Sequence, residues 1–366
     1  MRSIAAAHAG PRTTFTGRLR GLLIAVPLLT TAILALTPAP AQASRPACQR
    51  YDTSVTLVPD ATVRYRVAGW LCRPSRPTGT VQILLSGFTY DHRYWGLPGD
   101  DHAYAQAAIQ AGMAVYTVDR IGVGASDRPP AEQVTVTAEA FVTHQLVQQL
   151  RHGNGWIRRV VGVGHSYGSA IFMVEAAGHH DVDALILTGY LHRPNPVQQA
   201  AIAAGLHPAH QDPAFAGERP PDGYVTTTPG TRGGDFFYLP GAARDAVASD
   251  ERAKATGTTG ERATMNLARD PSYSQHITVP VLVVVGDHDT LNCDAAAGLR
   301  CGTAGQICAR ERGFYPPSSP LYAAVIPAPG HSINGHRTAA LAYALANAWA
   351  GAATSGLATF WPQCPA

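Results

Sequence analysis

The chain has 366 residues, a formal charge of +3, 28 basic and 25 acidic residues, and six cysteines. Four of the basic residues, Arg2, Arg12, Arg18 and Arg20, are the only charges of the first 43 positions; the remainder of the chain is slightly acidic and offers no Lys/Arg cluster to a nucleic-acid backbone. Beyond them lie roughly 320 residues, enough for one large core or a core with an inserted subdomain.

The four arginines precede an apolar run from Leu22 to Leu36, which leads to Ala41-Gln42-Ala43. A basic start, an apolar stretch and an A-x-A site are the parts of a secretory signal peptide, and the run carries Pro27 and falls short of the roughly twenty residues that span a bilayer. Cleavage near Ala43 is therefore expected, giving a secreted (extracellular) chain of formal charge −1 with no stable membrane anchor. Cys48, Cys72, Cys293, Cys301, Cys308 and Cys364 all lie past the cleavage site, and an even count in an exported chain points to disulfides. The pairs expected are Cys48–Cys72, Cys301–Cys308 and Cys293–Cys364. With no C-x-x-C pair a zinc site is not indicated. One lysine among many arginines, with abundant Ala, Gly and Pro, points to a GC-rich bacterial source.

Residues 53–58 and 62–71 alternate as a hairpin or meander would, with Pro59-Asp60 at the turn. Thr80–Leu85 is more continuously apolar, as a buried parallel strand should be. Tyr104, Ala107, Ala108 and Ala111 mark a helix, Met113–Val118 a strand, and Ala138, Val142, Leu146 and Leu150 a second helix. Val160, Val161 and Val163 begin a strand that runs into Gly164-His165-Ser166-Tyr167-Gly168, and Ala170, Ile171 and Val174 recur at helical spacing after it. Ala184–Leu187 is the next strand. Residues 191–278 break the rhythm with frequent Pro and Gly; a structureless loop of that length is improbable inside a compact domain, so a cap or lid insertion is expected. Strands at 279–285 and 322–326 and a helix through Leu341, Leu345, Ala348 and Trp349 close the chain. The domain reading is a signal peptide over 1–43, a core over 44–190 and 279–366, and a cap over 191–278. The alternation predicts an α/β fold, a mostly parallel sheet with helices on both faces and its ligand beyond the carboxyl ends of the strands.

Strand, tight turn and helix around Ser166 would present a serine hydroxyl above the sheet edge, where a base can reach it and a backbone N–H can face an oxyanion. The pentapeptide alone is a weak signal in a chain with 36 glycines, and its context carries it. Gly162, Gly164 and Gly168 do not make a dinucleotide fingerprint, because the third glycine comes one position late. His331, in Pro329-Gly330-His331 after the last strand, is the candidate base, with His336 as fallback. Asp289, in Gly286-Asp287-His288-Asp289, is the candidate acid, with Asp287 as its neighbour and rival.

Together these motifs resemble the α/β-hydrolase superfamily over nearly the whole chain past residue 43: the elbow 164–168, the stretch Asp119-Arg120-Ile121-Gly122-Val123-Gly124-Ala125-Ser126-Asp127, Gly286-x-x-Asp289 and Gly330-His331, in the order serine, acid, histidine. The resemblance implies an α/β-hydrolase fold and a serine hydrolase, esterase- or lipase-like, that cleaves small carboxylic esters through an acyl-enzyme without metal or organic cofactor. It also implies an oxyanion hole from the backbone N–H groups of Tyr167 and Phe88, although Ser86-Gly87 stands where the superfamily usually has His-Gly. A lactonase or acyltransferase would use the same triad. An exopeptidase would need acids for a free amine, for which Asp212, Glu218, Asp222 and Asp235 are at hand, and a non-catalytic binding module is the reading outside enzymes. His179-His180-Asp181-Val182-Asp183 reads as a solvated connection sooner than as metal ligands, Gly122-x-Gly124 as a packed turn sooner than as a phosphate loop. Phe236, Phe237 and Tyr238 serve either an acyl pocket or the cap's own core.

Overall fold

The computed structural model describes residues 47–96 and 104–365. The expected signal peptide, residues 1–43, lies outside the described residues. Among those described, eight strands form one sheet in the spatial order Ala47–Arg50, Gly69–Arg73, Ala114–Val118, Thr80–Leu85, Arg159–His165, Ala184–Thr188, Val281–Gly286 and Leu321–Ile326. The first two strands pair antiparallel with their neighbours and every later pairing is parallel.

Side chains of the central strands alternate between two apolar layers. Val81, Ile83, Leu85, Val281, Val283 and Val285 face one layer with the helices Val136–Gly153 and Tyr167–His179. Leu84, Val161, Val163, Leu282 and Val284 face the other with Tyr104–Gln110 and Ala339–Thr354. Burial on both faces explains why these strands read as continuous apolar runs. This is the α/β-hydrolase architecture expected from the sequence.

Two local expectations are corrected. The single strand expected over 62–71 is two: Tyr65–Val67 pairs with Thr53–Val55 in a small separate sheet. The chain then turns at Ala68, whose N–H is taken by Ser126 Oγ and whose carbonyl accepts from Asp119 N–H, before Gly69–Arg73 joins the main sheet. The disulfides are Cys48–Cys72, as expected, and Cys293–Cys301 and Cys308–Cys364 in place of the other two expected pairs. Asp294 and Leu299 bond reciprocally across a short turn and carry Cys293 back to Cys301. The helix Ala304–Glu311 buries Cys308 on its inner face, and Cys364 N–H bonds to the Leu321 carbonyl, which brings the tail alongside.

Between Ala184–Thr188 and Val281–Gly286 the chain builds a three-stranded sheet of Leu206–Pro208, Tyr224–Thr227 and Gly257–Thr258 with short helices around it. The chain's single lysine, Lys254, is buried there against Asp212 Oδ2 at 2.6 Å and the Thr227 carbonyl at 3.2 Å. Among the described residues no helix is long and apolar enough to cross a membrane.

Candidate active site

Ser166 stands between the strand Arg159–His165 and the helix Tyr167–His179 with φ 51° and ψ −115°, a conformation that non-glycine residues rarely adopt. Its N–H donates to the Thr188 carbonyl at 2.8 Å, tying the turn to the next strand. The glycine two places on permits this: a Cβ at 168 would collide with the Leu85 carbonyl oxygen. The Ser166 side chain, part-exposed, points into a cavity of about 370 Å³ that His331 also lines.

His331 is buried, with Nδ1 3.0 Å from Asp289 Oδ1 and 3.1 Å from Oδ2. Asp289 is fully buried, and Asn292 Nδ2 donates to its Oδ2 at 2.8 Å while also holding the Gly189 carbonyl at 2.9 Å. Leu291 N–H donates to Asp289 Oδ1. Asp287, part-exposed, instead accepts from Ala328 N–H at 2.8 Å and lies beside His288. Of a serine, histidine and aspartate relay, the histidine–aspartate link is made. Ser166 and His331 face the same cavity, with no hydrogen bond between them among the described residues. His336 is occupied elsewhere: Nε2 accepts from Gly330 N–H at 3.0 Å and Tyr238 N–H at 3.1 Å, and Nδ1 donates to the Ser332 carbonyl. Burial lowers its pKa, so the ring stays neutral and braces the turn that carries His331.

The loop after Thr80–Leu85 brings Gly87 against Ser166, and both Phe88 and Tyr167 line the cavity. Tyr167 opens its helix, so its N–H has no partner within the helix. The Phe88 and Tyr167 rings meet edge to face at 6.3 Å. Ser86, the departure from the superfamily pattern, fastens the loop: its hydroxyl donates to the Tyr90 carbonyl at 2.9 Å. Two buried arginines that the sequence reading gave no role complete the support. Arg120 Nη2 donates to the Gly87 carbonyl at 3.1 Å, and its Nη1 pairs with Glu139 at 2.6 Å and with Glu261. Arg232 Nη1 reaches Thr89 Oγ1 at 3.0 Å while Nε pairs with Asp250 at 2.5 Å. Tyr90 Oη lies 2.5 Å from Ser332 Oγ, linking this loop to the residue after His331.

His165, fully buried inside the elbow, stacks on Tyr94 at 4.3 Å and sits 4.9 Å from the His331 ring. Burial first, and then His331, holds its pKa well below the usual value, so it remains a neutral spacer. Of the three aromatics, Phe236 lines the cavity, Phe237 stacks on His336 at 5.3 Å, and Tyr238 packs on His288 at 3.7 Å. The acids an exopeptidase would need do not line it. Asp212 is held by Lys254 and His207, Glu218 pairs with Arg128, Asp235 accepts from Thr231, and Asp222 is fully exposed. Asp181 accepts from His144 and Gln148, and Asp183 pairs with Arg151 and Arg159, so that segment is a polar connection. The segment 119–127 wraps the Asp119 carboxylate, which accepts from Ala125 N–H and His92 N–H.

The model of the alpha/beta hydrolase family matches residues 82–344, and the chain belongs to that family. Among solved structures, an esterase from Thermogutta terrifontis is 19% identical, covering 83% of this chain and 99% of its own, with a TM-score of 0.52. A lipase in its open form is 17% identical, covering 85% and 99%, with a TM-score of 0.57. The monoacylglycerol lipase of Paleococcus ferrophilus is 13% identical, covering 82% and 98%, with a TM-score of 0.51. At these identities the likeness is one of fold. No curated protein matches the sequence significantly.

Proposed function

We propose that this alpha/beta hydrolase is a secreted serine esterase that cleaves carboxylic esters through an acyl-enzyme. Ser166 is the nucleophile, His331 the acid and base, Asp289 its orienter, and the N–H groups of Phe88 and Tyr167 the oxyanion hole. The observation that carries the reading is the His331–Asp289 pair at 3.0 Å, with His331 and the strained Ser166 lining one cavity.

In this scheme Asp289 fixes the imidazole with its proton on Nδ1, leaving Nε2 to accept the Ser166 proton as Oγ attacks the ester carbonyl. The developing oxyanion is taken by backbone donors on a loop and a helix end that are already in place, which avoids reorganisation during the reaction. His331 then gives its proton to the departing alkoxide, and a water repeats the sequence to release the acid. Residues 191–278 act as a cap over the core, contributing Ile202, Leu206, Phe236 and Met265 to the cavity wall. Export rests on the signal-like first 43 residues, and three disulfides are compatible with an extracellular site.

The test is a panel of p-nitrophenyl esters with the wild type, Ser166→Ala and His331→Ala. Turnover by the wild type and at least a thousandfold loss in both variants is expected. Turnover retained by either variant would remove that residue from the mechanism.

A further inference from the structure

Beyond the ester chemistry, the cavity carries a charge pattern of its own. Arg262, Met265, Asn266 and Arg269 all line it, and their spacing of three, four and seven residues puts them on one helical face across the helix Thr259–Thr264 and the turn Met265–Arg269. Neither arginine has a carboxylate within ion-pairing distance among the described residues, unlike Arg120, Arg128 and Arg232 nearby. Arg269 is held in position: Nε donates to the Leu191 carbonyl at 3.3 Å, Nη1 to Asn266 Oδ1 at 2.9 Å, and its guanidinium lies 4.8 Å from the Tyr190 ring centre. Its Nη2 is left with no partner among the described residues. Tyr190, whose ring carries that guanidinium, is buried and also lines the cavity. Among the described residues no acid lines the cavity.

A cavity lined by a serine, a histidine and two guanidinium groups without carboxylate partners, and by no acid among the described residues, suits an anionic ligand. Guanidinium forks match a carboxylate in charge and in geometry. We infer that the substrate is an ester bearing a carboxylate remote from the scissile bond, recognised by Arg262 and Arg269. This rests on the esterase reading above and names its substrate class.

The test compares esters matched in length and differing in charge. 4-Nitrophenyl hydrogen succinate, glutarate and adipate carry the carboxylate on the acyl side, and the butyryl ester of 4-hydroxybenzoic acid carries it on the alcohol side. Neutral 4-nitrophenyl alkanoates and phenyl butyrate are the references. In at least one series the wild type should favour the charged ester in kcat/KM by about tenfold or more at low ionic strength, as expected for charge-assisted hydrogen bonds. That ratio should fall about tenfold in Arg262→Gln and further in Arg262→Gln/Arg269→Gln. Arg262 is exposed and unpaired, so its variant is expected to fold. Equal or better turnover of the neutral ester in both series, or a ratio unchanged in the double variant, would overturn the inference while leaving the esterase reading intact. If no ester is cleaved, the esterase reading fails and the ester part of the inference with it, and binding decides whether the cavity takes a carboxylate. Glutarate should raise the thermal midpoint of the wild type and not of the double variant; no rise in the wild type would overturn it.

Discussion

Arg120 Nη2 holds the Gly87 carbonyl at 3.1 Å, one residue before the proposed oxyanion donor Phe88. The same guanidinium binds Glu139 on the helix Val136–Gly153 and Glu261 on the helix Thr259–Thr264, so one buried cation joins these two helices to the loop that carries Phe88. Arg120→Lys keeps the charge and loses the fork. Steady-state kinetics on a neutral ester should show kcat lower by about ten- to a hundredfold with KM changed much less, because a displaced donor acts on the transition state. An unchanged kcat would show that the loop holds its shape without Arg120.

Burial, opposed by Arg120 and aided by the Glu261 carboxylate, pushes the Glu139 carboxyl up to about 8. A carboxyl raised in the folded state keeps its proton while the unfolded chain releases it. Its contribution is full below the unfolded value near 4.5 and is lost as pH rises through about 8. Glu139→Gln mimics the protonated form. Denaturant titrations should show the variant gaining on the wild type from about pH 5 to pH 8 and no further above that. A difference independent of pH would contradict the shift.

Asn292 bridges Asp289 Oδ2 and the Gly189 carbonyl, so it orients the carboxylate that orients His331. Asn292→Ala should lower kcat by about tenfold, and Asp289→Asn by about a thousandfold or more. Asp287→Asn should stay within about threefold of the wild type, since Asp287 bonds to Ala328 and not to the imidazole. The reverse order for the two aspartates would exchange their proposed roles.

The two disulfides near the carboxyl terminus close loops of different length, with separations of 56 residues for Cys308–Cys364 and 8 for Cys293–Cys301. On chain-entropy grounds, Cys308→Ser/Cys364→Ser should lower stability by about 4 kcal/mol and Cys293→Ser/Cys301→Ser by about 2.5 kcal/mol. Thermal midpoints of the two double variants check the order. The shorter loop comes directly after Asp289, so its loss should also lower kcat, whereas loss of the longer one should act on stability alone.

Much of this was legible in the sequence because it is local. Runs such as Thr80–Leu85 and Val281–Val285 are apolar on both faces of a buried strand, and the turn around Ser166 announces itself by flanking strand and helix patterns. The features that escaped the sequence reading depend on partners far apart along the chain. Arg120 meets Glu261 across 141 positions and Gly87 across 33, and nothing in the stretch 119–127 specifies either partner. Ser86 reads as a missing histidine in the sequence, whereas in the fold its hydroxyl closes the loop onto Tyr90. Cys48–Cys72 was legible across its two strands, but the other two expected disulfides were not: the reciprocal turn between Asp294 and Leu299, which selects Cys301 for Cys293, leaves no mark in cysteine spacing.

Every catalytic role proposed here requires Ser166 to be an activated nucleophile. Reaction of the purified mature protein with a fluorophosphonate probe, followed by peptide mass spectrometry, reads this without knowledge of the substrate. A single adduct on Ser166 is expected, lost in Ser166→Ala and slowed in His331→Ala. An unlabelled wild type, or an adduct on another residue, would contradict it.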